Sequence, residues 1–165
     1  MNNAKLVALT LAVSVAFAAA AVSAQQAPPP PSYGPPIGLE QAKKAMAGAE
    51  AEARKNNWNV VIAIVDSGGN IVMLQRLDNT QFGSIDVARQ KAHTAVAFRR
   101  PTKAFQDLIA QGGVNLRLLK LEGASPLEGG VPIVLGGMII GAIGVSGVTS
   151  QQDAQIAQAG ADALK

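Results

Sequence analysis

Two apolar runs that reverse at glycine pairs decide the architecture more than any other feature of this chain. The first is Val60-Val-Ile-Ala-Ile-Val65, too rich in β-branched residues to be read as a short helix. Asp66-Ser-Gly-Gly-Asn70 then supplies residues that accept positive φ, and Ile71-Val-Met-Leu74 returns. The second run is Val131 to Leu135, which reverses at Gly136-Gly137 into Met138 to Val145. Two hairpins predict an antiparallel sheet of at least four strands. Both strands of the first are apolar on successive residues, which predicts a sheet covered on both faces.

The covering layers are helical. Leu39, Ala42, Met46, Ala49 and Ala53 form one stripe at helical spacing, and the pattern ends near Asn56-Asn57. Ser84 to Arg99 reads as a second helix stopped by Pro101, and Thr102 to Gln111 as a short third ended by Gly112-Gly113. Ser150 to Leu164 is the last, with Ser150 as N-cap and Asp153 at the third helical position. Asn115-Leu-Arg-Leu-Leu119 is a candidate fifth strand. The expected class is α+β, an antiparallel sheet packed between helices.

The N-terminal residues stand outside this pattern. Leu6 to Val22 is almost unbroken Leu, Val, Ala and Phe, and Val22-Ser23-Ala24 places small residues where signal peptidase needs them. Residues 1–24 therefore read as a signal peptide, 25–36 as a Pro-rich leader and 37–165 as the folded domain. A transmembrane anchor wants about 20 apolar residues, and this segment is short and Ala-rich. Export to the periplasm or the extracellular space is the expectation. The prolines at 28–31, 35 and 36 favour extended polyproline II, so the leader is expected to stay out of the sheet and to be dispensable for folding. With no Cys in the chain, no disulfide is possible and the core holds by packing alone. A net charge of +3 and few aromatic residues argue against nucleic acid as a partner.

A strand, a glycine-rich turn and a helix run from Gly136 to Leu164, the ingredients of a phosphate-binding loop. A Walker loop needs a Lys at the helix entry, and no Lys lies between Lys120 and Lys165. A dinucleotide fingerprint needs a parallel βαβ unit, which the preceding hairpin excludes. Ser146 lacks the second glycine of a nucleophile elbow, because Val148 stands there. Gly141 and Gly144 instead predict that something lies close against the strand, either a helix of the same chain, a ligand or a neighbouring subunit.

The ordered blocks carry a resemblance. Val65-Asp66, Gly68-Gly69, Arg76-Leu77-Asp78, Ser84-Ile85, Ala88-Arg89-Gln90-Lys91-Ala92, Thr94-Ala95 and Pro101-Thr102 occur in order. Gly129-Gly130-Val131-Pro132-Ile133, Ile140 to Gly147 and Gln152-Asp153 complete the set. Together they resemble the GlcG/HbpS family of small haem-binding proteins, related to the C-terminal domain of PduO. The resemblance implies a profilin-like sheet of about five strands between helices, assembly into homo-oligomers and haem as cofactor. For exported members it implies haem sensing, sequestration or degradation, oxidative-stress signalling and a sensor or membrane protein as partner. Two other readings stay open: an enzyme or accessory protein acting on a small metabolite, and an interaction module for a sensor protein.

His93 is the chain's one histidine and the first candidate for an axial iron ligand. On the wheel of the second helix it lies opposite Ile85, Ala88, Ala92 and Ala95, with Asp86, Arg89 and Arg100 beside it. Arg89 and Arg100 are candidates to pair with haem propionates. Thr94 matches a position that the resemblance places near haem. Met46, Met73 and Met138 are weak ligands in principle and read as core filler. Lys91 and Arg99 flank the apolar side, where snorkelling, or a partner such as Asp66 or Asp78, would satisfy them. A single His makes a zinc site improbable.

Overall fold

The computed structural model describes residues 28–165. The expected signal peptide, residues 1–24, and the first residues of the leader lie outside the described part. Helix α1 spans Leu39–Lys55, followed by β1 (Val61–Asp66), β2 (Ile71–Arg76), α2 (Ser84–Ala97) and α3 (Lys103–Ala110). A 3-10 helix covers Gly113–Lys120, and β3 (Gly130–Leu135), β4 (Met138–Ser146) and α4 (Ser150–Asp162) complete the chain. The four strands form one antiparallel sheet in the order β2-β1-β4-β3. Helices α1 and α4 pack together on one face, and α2 crosses β4, β1 and β3 on the other. The expected α+β sandwich is present. Among the described residues, no helix is long and apolar enough to cross a membrane.

The core divides along the pleat of β1. Val60, Ile62 and Ile64 point to α1 and α4, where they meet Ala45, Ala49, Ile143 and Ile156. Val61, Ala63 and Val65 point the other way, against Ala88, Ala92 and Ala95 of α2. Strand β1 is buried on both sides as its composition predicts, but β2 is not. It is an edge strand that α2 does not cover, and Ile71 and Leu74 are exposed on that side.

Asn115–Leu119 is not a fifth strand. Gly112 and Gly113 both take positive φ, 69° and 59°, and the chain winds into the 3-10 helix. Its half-buried positions, Gly112, Asn115 and Leu118, recur every third residue as that helix requires. The start of α4 also shifts by one residue. Thr149 is the N-cap, its hydroxyl accepting from Gln152 N while the Gln152 side chain accepts from Thr149 N. Asp153 is thereby released for another partner.

The leader does join the sheet. Between its prolines, Ser32, Tyr33 and Gly34 have backbone groups to offer, and they pair with Ile139 where β1 has already turned away. Ile139 N donates to Ser32 O at 2.9 Å, and Gly34 N donates to Ile139 O at 2.8 Å. The Tyr33 hydroxyl donates to Val96 O at 2.8 Å, joining Arg99 N, which donates to the same carbonyl at 3.2 Å, and so pins the leader to the last turn of α2. The prolines predict a leader that stays out of the sheet, but Ser32, Tyr33 and Gly34, between the two proline runs, carry the backbone groups that pair with β4.

Gly144 shows why α2 can lie so close to the sheet. A Cβ at this position would fall inside contact distance of Ala88 O and of Ala92 N at the helix backbone. Gly130 has the same relation to Lys91 O, while Gly141 faces Val65 O across the strand. The close neighbour of Gly144 is a helix of the same chain. Gly144→Ala is expected to force α2 outward and to cost about 1–3 kcal/mol, the range for overpacking a filled site. Urea unfolding measures it, and a midpoint equal to that of the parent would contradict the close packing. A chain beginning at Ile37 is expected to melt below one beginning at Gln25. Tyr33→Phe should reproduce part of the loss, roughly 3–5 °C for one hydrogen bond of about 1 kcal/mol. Equal melting temperatures for all three would contradict the anchoring.

Candidate functional site

Because α2 stops short of β2, a groove opens between the helix flank and the β1–β2 hairpin. Val65, Gly69, Ile71, Asp86, Arg89, Gln90, His93 and Gly123 line it, around a volume of about 240 Å³. Its floor is apolar and continues beyond the groove proper. Leu74 pairs across from Ala63 and Arg76 from Val61, so both share the face turned toward α2. The Arg76 guanidinium lies 4.8 Å from the centre of the Phe82 ring, which is 77% exposed near the start of α2. Ile71, Leu74 and Phe82 thus leave an uncovered apolar strip beside a charged helix edge, a pattern that marks ligand or partner surfaces.

The hairpin tip is held by Asp66. Its Oδ1 accepts from Gly68 N and Asn70 N, both at 2.9 Å, and the Asn70 side chain adds contacts to both oxygens. Partial burial pushes this carboxyl up, but the amide donors of Asn70 and Gly68 outweigh it and hold it below its ordinary value. The same turn gives Gly69 a φ of 85° and sets it against the imidazole. A Cβ on Gly69 would come within 3.0 Å of His93 Cδ2. Glycine at this position is what lets the His93 ring stand against the hairpin.

Arg89 reaches Asp86 one turn back at 3.3 Å, with both side chains more than half exposed. Such a pair contributes at most about 1 kcal/mol, so the guanidinium can be transferred to another anion at little cost. Thr94, by contrast, is fully buried. Its oxygen accepts from Ser125 N at 2.7 Å, and its hydroxyl lies 3.4 Å from Gly123 O. It fastens the loop that supplies Gly123 to the rim of the groove and does not face the groove itself. Arg100 is elsewhere. Its Nε donates to Phe98 O, and its guanidinium sits 5.8 Å from the centre of the Phe105 ring. Of the four residues singled out in the sequence, the structure brings His93 and Arg89 together, sets Thr94 behind them and leaves Arg100 out. Among the described residues, no cluster of three or more His, Cys, Asp or Glu could hold a metal ion.

Lys91, on the opposite side of α2 from the groove, is the least expected member of the helix. Neither snorkelling nor Asp66 nor Asp78 accounts for it. Its ammonium is buried and donates to Asp153 Oδ2 at 2.7 Å and to Val145 O at 3.0 Å. Asp153 Oδ1 accepts in turn from Val148 N at 3.2 Å. The pair joins α2, β4 and the start of α4, and Gly129 covers it closely enough that a Cβ there would meet the Lys91 Nζ at 2.7 Å. Burial pushes the Asp153 carboxyl above its ordinary value, against the opposing pull of Lys91 and of the Val148 amide.

A family model described as haem degrading protein HbpS-like matches residues 37–162. Protein GlcG of Escherichia coli K12 is 42% identical over 110 residues, which cover 67% of this chain and 81% of GlcG. The crystal structure of HbpS has a TM-score of 0.73 at 33% identity, covering 81% of this chain and 94% of HbpS. The structure of a PduOC–heme complex has a TM-score of 0.70 at 27% identity, covering 78% and 94%.

Removing the Lys91 charge leaves a buried carboxylate without a counter-ion. Lys91→Met is expected to lower stability by about 3–5 kcal/mol in urea unfolding at neutral pH. Part of that loss should return on acidification. An acid that holds its proton more tightly in the folded chain than in the unfolded one adds stability as the pH falls through its raised folded value toward its ordinary one. Combining Lys91→Met with Asp153→Leu should recover most of the stability without acid. A single variant as stable as the parent would contradict the buried pair.

Proposed function

The chain belongs to the HbpS-like family, and from that premise we propose that it binds haem in the groove between α2 and the β1–β2 hairpin. The observation that carries this reading is the juxtaposition, on one open groove, of an exposed imidazole, a transferable guanidinium and an uncovered apolar floor. A neutral imidazole is a common axial donor to haem iron. Guanidinium matches a propionate carboxylate in charge and shape. Ile71 and Leu74 offer the porphyrin an apolar surface that water otherwise occupies. These are the donor types that the group requires, and the residues present fit it.

In this reading His93 would hold the iron through a ring nitrogen, and Arg89 would pair with a propionate. Thr94 acts through the loop it fastens, holding Gly123 at the rim. Arg100 takes no part, because the chain turns away after α2. Bound haem would supply redox-active iron, and the chain's own contribution is to orient the ring and to exclude water from one of its faces. The groove's volume is below the roughly 300–1,000 Å³ of pockets that engulf their ligand, so the porphyrin would lie on the surface with part of its area accessible. That arrangement suits sensing or sequestration and leaves the ring open to a second copy or a partner. Homo-oligomers are part of the same proposal, supported by the exposed Val114, Leu116 and Leu119 of the 3-10 segment. So is action outside the cytoplasm, supported by the signal-like residues 1–24. A metabolite enzyme finds less support here, since the groove offers no paired carboxylates and no nucleophile–base set.

Titrating haem into the parent, His93→Ala, Arg89→Ala and Arg100→Ala tests the assignment. His93→Ala should shift the ferric Soret band and weaken binding. Arg89→Ala should weaken binding about tenfold without moving the band, about 1.4 kcal/mol for one charge-assisted contact. Arg100→Ala should match the parent. An unchanged spectrum and affinity for His93→Ala would overturn the ligand assignment.

A further inference from the structure

At the opposite edge of the sheet, beyond β3, lies a second concavity of about 290 Å³. It is separated from the His93 groove by the width of β1 and β4. Pro31 of the leader, Pro101, Val134, Ile139 and Ala161 give it apolar walls. Edge pairing by another strand is blocked here. Gly130 offers its outward backbone N–H and C=O to Thr102, and Pro132, two residues on, has no N–H to donate. What remains is a small apolar pocket.

Two cations stand at it. Lys165 is neutralised by Asp162, whereas no carboxylate among the described residues reaches Arg99. Arg99 is also one of three non-glycine residues with positive φ among the described residues, at 53°, a conformation that costs energy for a residue with a Cβ. That turn sends its guanidinium over the Tyr33 ring, 5.7 Å from the centre, beside the leader segment that walls the pocket. The side chain of Gln158 adds a neutral donor and acceptor at the same site.

An apolar pocket with one unneutralised guanidinium at its rim has the complement of a molecule with an apolar body and a single carboxylate. We infer that this pocket is a second binding site, for a small amphipathic carboxylate such as a medium-chain fatty acid, and that the leader forms one of its walls. The aliphatic body lies against Pro101, Pro132 and Val134, and the carboxylate pairs with Arg99. The site is independent of the haem groove and does not rest on it.

Octanoate serves as the probe, titrated into the 15N-labelled chain beginning at Gln25 and followed by amide chemical shifts. The expected result is saturable shifts at Arg99, Val131, Val134, Ile139 and Ala161, with no saturable change at Gly69, Ile71 or His93. Octanol should bind at least fivefold more weakly, because it lacks the charge. Arg99→Gly keeps a backbone conformation that glycine adopts freely and removes the guanidinium, so it should fold normally and lose at least fivefold in octanoate affinity. Shifts confined to the His93 groove, or no saturable shift, would overturn the proposal. So would equal affinity for octanol and octanoate together with an unchanged Arg99→Gly.

Discussion

The approach of α2 to β4 is the constraint on which the rest of the molecule depends. Helix and strand come within backbone contact only because Gly144 and Gly130 present no side chain to Ala88, Lys91 and Ala92. Alanines at 88, 92 and 95 complete a smooth helix face, so the whole of α2 settles onto β4, β1 and β3. That depth carries Lys91 below the surface, where an ammonium needs a partner, and Asp153 at the start of α4 supplies it. It also leaves β2 uncovered. One small-residue contact thus fixes three things: a buried ion pair, the position of α4 and an open groove along the hairpin.

The groove and the ion pair sit on opposite sides of α2, and the division of labour follows from the helix period. His93 and Arg89 project toward the hairpin, while Lys91 projects toward α4. Thr94 faces neither; it holds the Gly123–Ser125 loop from beneath. A buried pair of this kind is weak evidence for extra stability compared with apolar residues of the same size. Its effect here is positional, because Lys91 Nζ also binds Val145 O and so ties the helix register to the strand.

Much of the fold is legible in local sequence. The β-branched run of β1, the glycine reversals and the Ala-rich stripe of α1 each act over a few residues, and the structure places them within a residue or two of expectation. Asn115–Leu119 misled because its leucines alternate, whereas the positive φ of Gly112 and Gly113 turns the backbone into a 3-10 helix. Ser150 misled as a cap because Thr149 and Gln152 form a better box one residue earlier. Of the site, His93 and Arg89 were visible because they share a face of one helix. Arg100 was drawn into it by extending the helical wheel past Phe98, where Arg99 adopts positive φ and the wheel no longer applies. The partners of Lys91 and Tyr33 lie 62 and 63 residues away, and no periodicity reports contacts of that range. The floor of the groove was hidden for a related reason, since Ile71 and Leu74 look like core residues until the sheet order makes β2 an edge.

The central claim is that haem occupies the hairpin side of α2. A crystal structure of the haem-loaded chain, with the iron located by its anomalous signal, tests it most directly. The account predicts iron within bonding distance of a His93 ring nitrogen, the porphyrin against Ile71 and Leu74, and a propionate on Arg89. Iron remote from His93, with the porphyrin seated beyond β3 or on the α1–α4 face, would contradict it.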